Sequence, residues 1–303
     1  MSNIILLFTC LVLGILLKKA KIVPENFHSS LNAFVINISL SAFSLYYISK
    51  IELNSSVIYP VLVGWIGIFL AIVFFIVLGK IFSWSHSVIG ALILCAGFGN
   101  TSFVGIPIIQ AMYGDNGLKT VMLVDQPGFV ALSTVGILIA NFYSGSKDSL
   151  LRHLRKILKF PPFLAFVVAL LLNVYSVQIP KELDEVLMKL GATTVPLALV
   201  SVGSQMQWKK IEKEEGFHLF TGLLFKLVIF PLVILILYKF IFHQSGEAID
   251  ISILEAAMAP MITSAIIASN HNLDPKLCNL LVAVGIPLSF VTLAIWHFIL
   301  QIL

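Results

Sequence analysis

Charge is what this chain lacks. Asp, Glu, Lys and Arg make up 11% of its 303 residues against 59% apolar ones, and the mean hydropathy of +1.01 leaves too few polar side chains to coat a soluble globule. Arginine stands only at 152 and 155, so no guanidinium lies inside an apolar run to clamp a carboxylate or phosphate. Cysteine is as sparse. Cys10, Cys95 and Cys278 fall in or at the edge of apolar runs, without the CxxC or Cys/His spacing that holds a metal, and read as packing residues. HExxH, GxSxG and a Walker loop are missing, and the acids are scattered, which speaks against an enzyme. Neither a metal nor a cofactor is expected. No basic start or A-x-A-like cleavage site marks the first run as a secretory signal, so it is expected to be a retained helix.

Long apolar runs are what the chain has. They recur at 3–17, 31–48, 57–79, 88–112, 120–143, 160–176, 186–207, 216–242, 249–270 and 277–302, most of them near the ~20 residues a spanning helix needs. The runs are continuous rather than alternating, and lipid forces each span to satisfy its own backbone, so the expected fold is an all-α integral membrane protein with ten transmembrane helices. Counting Lys and Arg in alternate loops puts thirteen on one side, Lys18 to Lys276, and five on the other, Lys50, Lys119, Lys181, Lys189 and Lys239; Lys226 lies within a span. The richer side is expected to be cytoplasmic, which places both termini outside. The pI of about 8.9 reflects this loop bias, and no aromatic-basic patch accompanies it, so nucleic acid is not an expected partner.

The basic segment 144–159 (SGSKDSLLRHLRKILK) reads as a cytoplasmic linker between residues 1–143 and 160–303. Five spans on each side, an odd number, would invert the second set. Residues align across the divide: Lys21-Ile22-Val23-Pro24 answers Val177-Gln178-Ile179-Pro180, INISLSAFSL (36–45) faces GATTVPLALV (191–200), and Thr101-Ser102 corresponds to Thr263-Ser264. Two five-helix repeats of inverted topology are the expectation.

The fourth run carries GFGNTSFVGIP (97–107). Gly97, Gly99 and Gly105 each weaken a helix by ~1 kcal/mol and Pro107 removes an amide donor, so this span should become two half-helices. At 1.5 Å per residue Asn100 lies ~18 Å deep and Pro260, in the ninth run, ~16 Å from the opposite face. Breaks near the midplane expose backbone groups that must be buried in protein or line a wet cavity. Glycine and proline alone give kinks. Two breaks at matching positions, beside Asn100, Thr101, Ser102, Thr263 and Ser264, point instead to a transport site, where half-helix N-termini favour an anion.

GFGNTSFVGIP, Met258-Ala259-Pro260, Pro196-Leu197 and the basic central loop together resemble the auxin efflux carrier family, of the bile acid/sodium symporter-like superfamily, over nearly the whole chain. The resemblance implies a secondary transporter of the short bacterial malate or malonate permease type. It also implies ten spans in two inverted repeats, crossed broken helices four and nine, and alternating access of elevator or rocking type. An Asn that helps to hold the substrate carboxylate at the crossover matches Asn100, and the paired Pro matches Pro260. The expected substrate-binding set is Asn100, Thr101, Ser102, Gly105, Pro107, Pro260, Met261, Thr263 and Ser264. One departure is Ser41, within Ser39-Leu40-Ser41-Ala42, where family members carry Pro in a V-A-L-P-A-like motif. The expected partners are a small organic anion and membrane lipid, with a homodimer allowed. The alternatives are a transporter-fold membrane sensor, for which no soluble output domain is evident, and a sodium- or proton-coupled antiporter of another solute.

Among the charges within the apolar runs, three lie away from the run ends. Asp125, in LVDQPGF about five residues into span five, is either a coupling acid for H+ or Na+, or a member of a structural ion pair, or an acid near the outer interface, only partly buried at ~8 Å depth. Glu255, five residues before Pro260, is the second coupling candidate. It is also the expected ion-pair partner of Lys226.

Overall fold

The computed structural model describes residues 2–51, 54–145, 158–205 and 213–303. Most of the 144–159 linker therefore lies outside the described residues. Among those described, all regular structure is helical, and β-type pairing is confined to an isolated bridge between Gly99 and Pro260. Six helices are long and apolar enough to cross a membrane: Phe27–Ile48, Ile58–Ile81, Thr101–Ser144, Lys181–Gln205, Gly216–Ile241 and Pro275–Ile302. Ser2–Lys19 is apolar along most of its length and ends on Lys18 and Lys19, and His86–Gly97 and Pro161–Val174 are shorter apolar helices. The ninth run yields two pieces, Glu247–Ala256 and Ile262–Asn270, each too short to span alone. Large apolar side chains such as Phe69, Phe142, Phe220 and Phe298 are exposed, a surface suited to lipid rather than water.

The chain divides into two compact units, and each draws on residues before and after the basic linker. The first comprises Met1–Ser55, Ser102–Gln126 and Arg155–Met206. Its tightest packing is a reciprocal glycine contact between Ser2–Lys19 and Thr194–Gln205. A Cβ on Gly14 would fall 2.2 Å from the Val200 carbonyl oxygen, and one on Gly203 would fall 2.2 Å from that of Leu11. Only glycine lets the two backbones approach this closely, the usual route to tight helix pairing where lipid removes the hydrophobic drive. Polar links complete it: Ser39 and Thr193 hydroxyls are 2.7 Å apart, and the Asn173 amide donates to the carbonyls of Ile48, Ser49 and Ile51, capping the end of Phe27–Ile48. Ser41 donates to the Asn37 carbonyl within its own helix, so no proline break interrupts the chain there.

The second unit comprises Ser56–Thr101, Pro127–Leu154 and Gln207–Leu303. Its helix through Lys226 is wound unevenly, with wide π turns at Phe225–Ile229 and Ile236–Ile241. Such turns displace backbone hydrogen bonds, and the Trp296 indole donates to the carbonyl of Leu227 at 2.9 Å. The last helix, Pro275–Ile302, passes Pro260 at Gly285, where a Cβ would come 2.5 Å from the proline ring. That glycine gives the ninth-run interruption the space it occupies.

Candidate functional site

In the second unit the fourth-run helix ends at Gly97, and the chain is extended through Phe98 before helical winding resumes at Thr101. The ninth-run helix ends at Ala256 and resumes at Ile262. Local chemistry accounts for both interruptions: glycines at 97 and 99, and a proline at 260 that can donate no hydrogen bond. The two interrupted stretches satisfy each other. The Asn100 amide donates to the Ala259 carbonyl at 2.8 Å, the Met261 amide donates to the Phe98 carbonyl at 3.2 Å, and Gly99 pairs antiparallel with Pro260. Backbone groups that would each cost several kcal/mol in lipid are thus paired inside protein.

Side chains gather around this pairing. Asn100 is 3% exposed, Thr101 and Pro260 are buried, and Met261 and Thr263 are half-buried. Ser264 is buried and donates to the Met261 carbonyl at 2.8 Å, so its hydroxyl serves the start of its own helix. Met261, preceding Ile262–Asn270, adopts extended backbone and contributes no side-chain cap. The first-turn amides of this half-helix therefore have no carbonyl partner within it.

Lys226 is fully buried in the same unit. Its ammonium donates to the Ala256 carbonyl at 2.9 Å and stands 4.8 Å from the centroid of the Phe230 ring. Glu255, 1% exposed, is within electrostatic reach. The sequence pairs Lys226 with Glu255; the structure keeps Glu255 within its electrostatic reach and adds a hydrogen bond to the neighbouring backbone carbonyl. Gly99 faces this ammonium: a Cβ would fall 3.0 Å from Nζ and 3.2 Å from the Glu255 carbonyl oxygen.

The remaining residues predicted from sequence belong to the first unit. Gly105 and Pro107 are buried, and Pro107 lies at the start of Ile106–Tyr113, directly after the wide turn Thr101–Gly105. Ser102 donates to one Asp125 carboxylate oxygen, and the Gln126 amide donates to the other at 2.9 Å. Asp125 is 5% exposed, more deeply buried than its position along the run suggests. Depth counted on one helix omits the protein atoms packed beside it, and the link to Ser102, 23 residues away, has no local sequence signal. The first unit also holds a cavity of ≈ 830 Å³ lined by Lys50, Asn173, Lys181 and Asp184 among others, and none of the residues predicted for the site lines it.

The membrane transport protein family model matches residues 1–150 and again 146–297. The chain is 24% identical over 310 residues to uncharacterized transporter MJ1031 of Methanocaldococcus jannaschii, an alignment covering 99% of this chain and 98% of the relative. An uncharacterized transporter of Methanothermobacter thermautotrophicus is 25% identical over 312 residues, with the same coverage. Uncharacterized transporter YfdV of Escherichia coli is 26% identical over 226 residues, 73% of this chain and 71% of the relative. An all-helical apolar chain, interrupted helices paired by backbone, and relatives that are transporters rather than enzymes converge, and the chain belongs to the membrane transport protein family, that of the auxin efflux carriers.

Proposed function

We propose that this multi-pass membrane transporter is a secondary permease for a small organic anion, a mono- or dicarboxylate. Its substrate would be held at the paired interruptions of the fourth and ninth runs and carried by alternating access of elevator or rocking type. The observation that carries the reading is the Gly99–Pro260 pairing, which sets a buried amide side chain, Asn100, beside a half-helix beginning at Ile262. A carboxylate there meets an amide donor, the first-turn amides of Ile262–Asn270 and that helix's positive end, with Thr101 and Thr263 alongside. No guanidinium takes part. Binding is correspondingly moderate, which suits turnover.

Reconstituted protein screened with labelled malate, malonate, oxalate and indole-acetate tests this directly. Asn100→Asp should lose substrate affinity more severely than Asn100→Ala, because like charge in low dielectric outweighs a lost hydrogen bond of ~1 kcal/mol. Wild-type affinity in both folded variants would remove Asn100 from the site. Asp125 is the proposed acid for a coupling H+ or Na+, since an intramembrane carboxylate is expensive to keep without a function. Asp125→Asn should then transport without responding to an imposed proton or sodium gradient, and an unchanged response would make Asp125 structural. The arrangement proposed along the chain is ten spans in two inverted repeats, with both termini outside. Single cysteines in 144–159 should be shielded from impermeant thiol reagents in intact cells and terminal ones labelled; the reverse pattern would invert the topology. Native Cys10, Cys95 and Cys278 are buried, so background labelling should be low.

A further inference from the structure

A buried ammonium in a membrane protein needs compensation, and the groups around Lys226 are of the kinds that compensate a free metal cation. Its Nζ donates to the carbonyl of Ala256, the last residue of Glu247–Ala256, and the C-terminal carbonyls of a helix carry partial negative charge. The Phe230 ring lies 4.8 Å from Nζ at its centroid, and the Glu255 carboxylate is within electrostatic reach. On a further side the ammonium packs against the backbone at Gly99, where a Cβ would fall 3.0 Å from Nζ and 3.2 Å from the Glu255 carbonyl oxygen. Where membrane helices are broken, carbonyls at half-helix C-terminal ends are the groups that coordinate a coupling cation. Here a primary amine reaches that position on four methylenes, from the wide turn Phe225–Ile229.

We propose that the Lys226 ammonium is a tethered cation that occupies the ion position behind the paired interruptions, so that no free sodium ion binds there. Glu255 is thereby assigned to balancing this fixed charge rather than to carrying an exchangeable ion, and a sodium gradient cannot drive transport through this position. The inference rests on reading the interruptions as the working site. It concerns their cation, and its test does not involve the anion.

Full-length protein purified in detergent is titrated with NaCl, with N-methylglucamine chloride as the ionic-strength control. Thermal unfolding and equilibrium binding of radioactive sodium are then measured. The wild type should show no sodium-specific rise in midpoint and no saturable sodium binding that Glu255→Gln removes. Lys226→Ala vacates the position beside the Ala256 carbonyl and Glu255. Its midpoint should rise by roughly 2–4 °C in about 0.1 M sodium relative to the control, and binding of about one sodium ion should appear. A sodium-specific response in the wild type that Glu255→Gln abolishes would overturn the proposal, as would a folded Lys226→Ala protein indifferent to sodium. If Lys226→Ala does not fold, the wild-type binding measurement decides alone, since saturable sodium binding sensitive to Glu255→Gln refutes a tethered cation and its absence supports one. Neither readout uses substrate. Failure of the Asn100 variants to affect anion transport would therefore be a separate result.

Discussion

Asp125 and Lys226 are both buried charges within apolar runs, and the two units stabilise them by different means. In the first unit a carboxylate accepts from neutral side-chain donors, Ser102 and Gln126. In the second an ammonium is held by a backbone carbonyl at a broken helix end, an aromatic face and the field of Glu255. Neutral donors lower the cost of a buried charge, and Asp125 is the acid proposed above to exchange a proton or a small cation. Lys226 instead faces a carbonyl at a helix end, an aromatic ring and an acid of opposite sign, the surroundings that the proposed tethered cation requires. On the two proposals above, the first surroundings belong to a group that exchanges its ion and the second to one that does not.

The sharpest test of that contrast is stability. Lys226→Met in sodium-free buffer removes the cation while leaving the Glu255 carboxylate and the Ala256 carbonyl buried, a loss expected to cost about 3–5 kcal/mol. Asp125→Asn preserves the shape of the side chain and removes only the charge assistance in its hydrogen bonds, which should cost about 1–2 kcal/mol. Reversible unfolding of the purified proteins in micelles measures both. Similar losses in the two variants would break the comparison, because Asp125 would then be as structural as Lys226.

What could be read ahead of the structure follows the range of the physics involved. Both helix interruptions were legible because glycine and proline act on their own turn: Gly97 and Gly99 end one helix, and Pro260 lies between the two pieces of the other. The all-helical, lipid-exposed character was legible from composition, which requires no contact to be known. That the two interruptions cross was implied only by the family resemblance, and the backbone pairing of residues 98–100 with residues 259–261 was not legible, since a hydrogen bond across some 160 residues leaves no mark on side-chain identity. Lys226 and Glu255 could be noticed as buried charges of opposite sign, but the hydrogen bond from Lys226 to the Ala256 carbonyl depends on where the helix ends in space. The two compact units were equally hidden. Each collects segments from both sides of the basic linker, and reciprocal contacts such as Gly14 with Val200 and Gly203 with Leu11 join parts of the chain nearly 190 residues apart.

A smaller effect tests whether the contrast between units extends to their peripheral charges. Each unit contains an ion pair at a helix end. In the second unit Lys239 pairs with Asp250 at 2.8 Å, with side chains 13% and 22% exposed, whereas in the first Lys50 pairs with Asp184 at 2.6 Å, with 39% and 27% exposed. The shorter distance favours the Lys50 pair, and its ammonium also lies 3.4 Å from the centroid of the Tyr46 ring, a contact worth about 0.5–1 kcal/mol at an exposed site. Solvent and salt act the other way: an exposed pair is screened and often contributes almost nothing, while the more enclosed pair keeps more of its attraction. The expected order is therefore Lys239→Met at about 1 kcal/mol and Lys50→Met at about 0.5 kcal/mol, the latter mostly from the ring contact. Raising the ionic strength should shrink the pair contribution of Lys50 further and leave that of Lys239 nearly unchanged, as read from double-mutant cycles with Asp184→Asn and Asp250→Asn. A Lys50–Asp184 coupling energy equal to or above that of Lys239–Asp250 at high salt would show that exposure does not rank these pairs.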